Sequence, residues 1–287
     1  MSARRKRRGS RAGRMQEHRR RGRIMTLAIA LAAGSLLLGP AALVSIPRYD
    51  FGRLAEERPR VTAVMRETAE RSVREGTTIR RSWQWVPIDA MSPHVAPAFV
   101  AALDPAFYEH RGINVRAMRG EIGEAWSRRA WPGFAPTISR RVVRELVLGR
   151  TLSLAERPSE WVLTTRIERR LSKKRILEIF LNVALWKDGV YGVEEQAQER
   201  FGRSVRALSL RESALLAAGF RANEISGDED GAPAAGLALH RSANLVLKRM
   251  ERAGFITSAE FEDHCFRLEG RPLNAKAGAS ARETPDS

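Results

Sequence analysis

The chain has 287 residues, with 50 Lys or Arg against 33 Asp or Glu, a formal net charge of +17, and 43% hydrophobic residues. That apolar content suffices to bury a core and excludes a wholly disordered chain. Cys265 is the sole cysteine, which excludes an intramolecular disulfide framework and any multi-cysteine zinc site.

The charge is concentrated at the start. Residues 1–23 hold eleven Lys or Arg and one acid, Glu17, and so supply +10 of the total, whereas residues 24–46 carry no charge. As a helix rising 1.5 Å per residue, 24–46 would reach about 34 Å, enough to cross a hydrocarbon core of about 30 Å. The pattern predicts a transmembrane helix, with Pro40 near its end, where a membrane helix tolerates it. A cleaved signal peptide fits less well, because the run is long and no clear small-x-small site precedes Pro47. A buried core helix would leave the basic flank unexplained. The basic residues put the N-terminal tail in the cytoplasm and the chain from Pro47 onward on the external side of the inner (cell) membrane, as a single-pass anchor. A polybasic stretch also suits a nucleic-acid arm. Beside a span, topology and anionic lipid already account for it, so membrane lipid is the expected partner and nucleic acid is not.

Residues 47–82 form a charged juxtamembrane segment in which Val61, Val64, Met65 and Ala69 have the spacing of an amphipathic helix. Trp83 and Trp85 alternate with Ser82 and Gln84, which predicts a short strand within 80–86, ended by Pro87. No later segment alternates strongly. Ser153 with Glu156, Ser209 with Glu212 and Thr257 with Glu260 read as capping boxes, and Gly219 and Gly254 as helix stops. Leu163, Ile167 and Leu171 share one helical face; Ile176, Leu177, Phe180 and Leu181 share another. Residues 83–269 therefore read as one mainly α domain. Residues 270–287, mostly Gly, Ala and charge, read as a disordered tail.

Within that domain the order Trp85-Val86-Pro87, Ser92-Pro93-His94 and Asp104-x-x-Phe107-x-x-His110-x-Gly112 resembles the monofunctional biosynthetic peptidoglycan transglycosylases, glycosyltransferase family 51. The resemblance is firmest at Lys174-Arg175-Ile176-Leu177-Glu178-Ile179-Phe180-Leu181-Asn182, similar to the family's fourth motif. It continues through Gly189-Val190-Tyr191-Gly192 and Phe201-Gly202 to Leu210-x-Glu212-Ser213-Ala214-Leu215-Leu216. It covers roughly residues 79–220 and implies a lysozyme-like helical domain behind a single membrane anchor. The implied reaction joins lipid-linked disaccharide (lipid II) into a glycan strand. The 4-hydroxyl of one disaccharide attacks the anomeric carbon of the growing strand, and undecaprenyl pyrophosphate leaves. Such chemistry needs a base for the hydroxyl and cations for the pyrophosphate. Glycan strand, membrane lipid and other cell-wall synthesis proteins are the implied partners. The resemblance allows a divalent metal, Mg or Mn, although no local cluster in the sequence resembles a cage for one.

The sequence departs from the family where catalysis matters most. The family's first motif begins Glu-Asp, its Glu being the base, and the aligned pair is Leu103-Asp104; a leucine cannot accept a proton. Asp104 either substitutes as the base or caps a helix beginning at Pro105. Substitution is hindered, because one residue along a helix turns the side chain by about 100° and Pro105 disfavours the α region at Asp104. The second motif aligns with Phe134-Ala135-Pro136-Thr137-Ile138-Ser139-Arg140-Arg141 and Arg144. It keeps Thr137, Ile138 and Ser139 but loses both glycines and both glutamines. Arg140 and Arg144, a turn apart, either face one phosphate-bearing ligand or form a solvated basic face. The third motif aligns with Glu156-Arg157-Pro158-Ser159-Glu160. Glu160, on the face of Leu163, Thr164 and Ile167, points inward, either as an assistant at the pyrophosphate site or as a structural partner of Arg157. By resemblance, His110, Thr137, Ser139, Arg140, Arg144 and Arg157 bind substrate, while Asp104 and Glu160 are the catalytic candidates. His110 reads equally as a packed residue at a helix end. Arg175, Glu178 and Asn182 form a structural motif that holds helices around the cleft. Trp126, Trp131 and Trp186 suit either a groove or a helical core. Two functions remain open on these residues: a divergent glycosyltransferase of reduced activity, or a pseudoenzyme that binds precursor, glycan or partners without turnover.

Overall fold

The computed structural model describes residues 46–128, 136–150, 156–226 and 236–267. The predicted basic tail, the span apart from Ile46, the Ser153 capping box, Trp131, the start of the second motif and the C-terminal tail lie outside these residues. Among the described residues no helix is long and apolar enough to cross a membrane.

Ten α-helices and three short strands make up the described chain: α1 (Ala63–Glu75), β1 (Ser82–Trp83), α2 (Val95–Leu103), α3 (Val115–Arg128), α4 (Ile138–Val143), α5 (Arg157–Arg170), α6 (Lys173–Val183), β2 (Leu185–Lys187), β3 (Val190–Tyr191), α7 (Gly192–Phe201), α8 (Leu210–Ser226), α9 (Leu237–Arg252) and α10 (Ser258–His264). A π-helical turn, Arg144–Leu148, continues α4. The strands form one sheet in the order β1-β3-β2, with β1 parallel and β2 antiparallel to β3. Only Ser82 and Trp83 of the alternating segment pair. β2 and β3 went unforeseen because two or three residues are too few to alternate. The described residues divide into two compact units, 46–49 with 156–163 and 50–150 with the remainder; the division falls within α5.

In the larger unit α6 is the central element. Ser172 caps it by accepting the Arg175 N–H, and Ile176, Leu177, Ile179, Phe180, Leu181, Asn182 and Val183 are all buried. Phe99 of α2, Phe180 of α6, Trp186 of β2 and Phe220 of α8 pack edge to face or tilted. Their centroids lie 4.9 Å apart for Trp186 and Phe220 and 6.2 Å for Phe99 and Phe180, a geometry worth about 0.5–1.5 kcal/mol per pair beyond burial.

Asn182 joins α6 to the strand segment. Its Nδ2 donates to Val86 O (2.9 Å) and Glu178 O (2.8 Å), its Oδ1 accepts the Val86 N–H (2.7 Å), and its carbonyl accepts from Trp83 Nε1 (2.7 Å). Gly192 approaches the same backbone at φ +82°, where an added Cβ would lie 2.6 Å from the Asn182 carbonyl oxygen. Arg175 fastens an earlier segment to α6. Its Nε donates to Leu54 O and its Nη2 to Glu57 O, both at 2.7 Å, while its guanidinium pairs with Glu178 and lies 5.4 Å from the Trp85 ring centre.

Several local expectations need correction. The buried stripe of α1 is Val64, Met65, Thr68 and Ser72. Val61 precedes the Thr62 cap and is exposed, and Ala69 faces solvent. Gly219 does not stop α8, which runs to Ser226 with the Arg200 guanidinium passing over the glycine. Gly254 does follow the end of α9 at φ +73°, and both the Thr257–Glu260 and Ser209–Glu212 boxes form.

Asn182→Ala leaves the Val86 N–H and C=O buried without partners and is expected to lower stability by about 3 kcal/mol, read as a lower urea midpoint at unchanged slope. Gly192→Ala is expected to cost about 2 kcal/mol or more through backbone strain, in the same measurement.

Candidate active site

The position aligned with the family's base lies at the end of α2. Leu103 is its last residue and is buried. Two guanidinia meet the helix terminus: Arg221 Nη1 donates to Ala102 O at 2.8 Å, and Arg249 Nη1 to Ala101 O at 3.3 Å. Cations there complement the negative end of the helix dipole.

Asp104 follows as the C-cap of α2, at φ −153° and ψ 74°. It caps no helix at Pro105, because residues 105–109 form turns, with the Phe107 N–H on Asp104 O and the Glu109 N–H on Ala106 O. Its carboxylate instead accepts from His110 Nε2, at 3.0 and 3.1 Å to its two oxygens, and Oδ2 also takes the Ile138 N–H at 3.1 Å. Asp104 thus does meet a helix N-terminus, that of α4, 34 residues later. His110 Nδ1 accepts the Gly112 N–H at 3.1 Å, which leaves the ring proton on Nε2, facing Asp104. Gly112 O accepts from Thr137 Oγ1 at 2.6 Å, and Thr137 caps α4 by accepting the Arg140 N–H. The five residues Asp104, His110, Gly112, Thr137 and Ile138 close a ring around a carboxylate that is only 4% exposed. Both Asp104 oxygens are engaged inside the protein.

The other expected substrate contacts are distributed unevenly. Ser139 is fully buried, and its hydroxyl donates to Glu168, which also holds Lys173 at 2.7 Å. Arg140 is buried. Arg144 lines a cavity of about 190 Å³, not with Arg140 but with Arg141 and Arg150. Arg140 and Arg144 remain one α turn apart, the Arg144 N–H bonding Arg140 O, but of the two only Arg144 lines the cavity. Arg141 donates from Nε to Pro136 O at 3.1 Å and pairs with Glu224. Burial, then the charges of Arg144 and Arg221, lower its pKa to about 9 despite the opposing pull of Asp104.

Glu145, Leu185, Trp186, Phe180, Phe220, Asn223 and Glu224 complete the cavity lining. Glu145 as a whole is half-buried, but its Oε2 is shut off from solvent. Burial raises its pKa to about 7, opposed by the Leu185 N–H and by Arg150 and Arg141. Arg141, Glu145 and Arg150 are the site residues that sequence reasoning missed. The 141–145 spacing of one helical turn was the available signal.

In the smaller unit, Glu160 is fully buried on the first turn of α5 and Arg157 is exposed. Glu178 accepts the Ile88 N–H at 3.3 Å. Trp186 belongs to the aromatic core and reaches the cavity from it; the side chain of Trp126 lies outside the described residues. No three His, Cys, Asp or Glu side chains among the described residues could hold a metal ion together.

The transglycosylase family model matches residues 70–251. A biosynthetic peptidoglycan transglycosylase of Mesorhizobium japonicum is 37% identical over 173 residues, which cover 60% of this chain and 71% of that protein. One of Rhizobium meliloti is 31% identical over 245 residues, covering 85% of this chain and 96% of its own length. Penicillin-binding protein 1A of Aquifex aeolicus is 39% identical over 197 residues, 67% of this chain but only 25% of that protein. A mainly helical domain, the fourth-motif helix at its centre and a family match over more than half of the length lead to one conclusion: the chain belongs to the transglycosylase family of peptidoglycan glycosyltransferases.

Proposed function

We propose that this domain, lysozyme-like in fold, takes lipid-linked disaccharide on the external face of the inner membrane and extends a glycan strand slowly, with undecaprenyl pyrophosphate as the leaving group. The observation that supports substrate engagement is the cavity lined by Arg141, Arg144 and Arg150, in and just after the segment aligned with the second family motif. Guanidinium groups suit a departing pyrophosphate, since charge-assisted contacts strengthen as its charge develops. Low turnover follows from Leu103, which cannot take the acceptor hydroxyl's proton, and from Asp104, whose oxygens are held by His110 and Ile138. Losing a positioned base lowers a rate by about 10²–10⁴.

A second reading, precursor binding without turnover, is favoured by that same engagement of Asp104. A polymerisation assay with the full chain in detergent and lipid-linked disaccharide separates the two. The first reading gives glycan strands at a rate at least about 10² below that of a relative with Glu at the Leu103 position; the second gives none. A rate equal to that relative's overturns the argument from Leu103. Leu103→Glu is expected to recover only part of the rate, because a carboxylate placed there is buried.

Asp104→Asn keeps the shape but removes the charge that holds His110 and α4. It is expected to lower stability by about 1–3 kcal/mol, seen as a fall in thermal midpoint; a fall in turnover alone, at unchanged midpoint, would make Asp104 the substitute base instead. For topology, a reporter fused after Ser287 should be active only outside the inner membrane, and cytoplasmic activity would overturn that placement.

A further inference from the structure

Two residues that line the cavity against the π turn each carry a buried polar atom without a hydrogen-bond partner, Glu145 Oε2 and Trp186 Nε1. They come from different elements, the π turn and β2, and both residues line the same cavity. One is a donor only; the other accepts when ionised and donates when protonated. The remaining groups that face Glu145 are Arg141 and Arg144 on its own segment, Arg150 beyond the turn, Glu67 from α1, Tyr191 from β3 and Glu224 from α8. The Glu145 Oε1 is met by the Leu185 N–H at 3.5 Å, and Glu67 accepts the Arg150 N–H at 2.9 Å.

An oxyanion drawn toward these guanidinia would share the cavity with an ionised Glu145. Like charges confined in this way force one group to hold a proton. With the proton on Oε2 the same side chain becomes a donor, and the Trp186 N–H supplies another beside it. Both orphaned atoms then gain the partner that buried polar groups require.

We propose that this cavity is a proton-coupled oxyanion site, in which Glu145 enters the complex as the neutral acid and donates from Oε2 while Trp186 donates from Nε1. The inference deepens the proposed function, since it takes this cavity as the place where the precursor's phosphate charge settles. It adds that affinity for that charge depends on pH through one residue of this chain. Burial already holds the Glu145 proton up to about pH 7 in the free protein, so the coupling operates across neutrality. Above that range each complex takes up a proton from solvent; below it the proton is already in place.

The same linkage bears on the stability of the free protein. A carboxyl whose pKa rises from an ordinary 4.5 to about 7 on folding contributes stability fully present below 4.5 and lost as pH rises through 7. The thermal midpoint of the full chain should fall across that window, and Glu145→Gln should lack that part of the fall.

The binding test uses the full chain in detergent and inorganic sulfate, an oxyanion that carries no titrating proton near neutrality. Calorimetry in two buffers of different ionisation enthalpy is expected to show uptake of nearly one proton per sulfate at pH 8 and almost none at pH 6. The dissociation constant should be about tenfold weaker at pH 8. Glu145→Gln, which keeps a donor but cannot ionise, should bind sulfate with no such pH dependence. Trp186→Phe should weaken binding at both pH values while retaining the proton uptake. Sulfate binding without proton uptake at pH 8, a Glu145→Gln variant that keeps the tenfold pH dependence, or no sulfate binding at either pH would overturn the proposal. A chain that polymerises the precursor yet binds sulfate without proton uptake removes only the coupling. Proton-linked sulfate binding in a chain that neither binds nor polymerises the precursor removes only the proposed function.

Discussion

A single buried carboxylate sets the arrangement of this domain's candidate site. Asp104 ends α2, fixes the His110 ring and receives the first N–H of α4, so two helices far apart in sequence share one anion. Helix termini leave backbone groups that must find partners, and a buried terminus without them is costly. Here the N-terminus of α4 is met by Asp104 and Thr137, and the C-terminus of α2 by Arg221 and Arg249. The direction in which α4 leaves this junction decides where Arg141 and Arg144 point. Charge at the site is therefore placed by helix-end chemistry as much as by packing.

The same carboxylate explains how the family scaffold persists while its first motif changes. The Leu103 side chain contributes to the core and asks nothing of solvent. Asp104 retains a structural task that does not depend on the neighbouring base. Under the proposed function, scaffold and catalysis are separable because they would rest on different atoms of adjacent residues.

Much of the helical body was legible in the sequence. The apolar faces of α5 and α6 follow a period of 3.6, and the Ser209 and Thr257 boxes mark real helix starts. What escaped was non-local or non-α. The Asp104–Ile138 bond joins residues 34 apart, so the local rule that Asp before Pro starts a helix named the wrong helix. Arg141 and Arg144 share one helical stretch, but the wall they face comes from Leu185, Trp186, Phe220 and Glu224, which are distant in sequence, and Glu145 is met there by the Leu185 N–H. Gly219 failed as a stop because glycine ends a helix only when its φ becomes positive, and inside α8 it instead leaves room for Arg200. Asn182 and Glu178 were recognised as structural by resemblance; their partners, Val86 and Ile88, were visible only in three dimensions.

Phe180, Trp186 and Phe220 are at once pillars of the aromatic core and walls of the arginine-lined cavity. The volume of the cavity is thereby inherited from how the domain packs. Trimming any one of these rings to admit a larger ligand opens a hole in the core, and enlarging one strains rings already in edge contact. Selection on what enters the cavity therefore acts on folding stability in the same stroke. Adaptation of this site is easier at its polar side, where Arg150, Asn223 and Glu224 can be exchanged without disturbing the rings, and the aromatic side is held conservative by the fold itself.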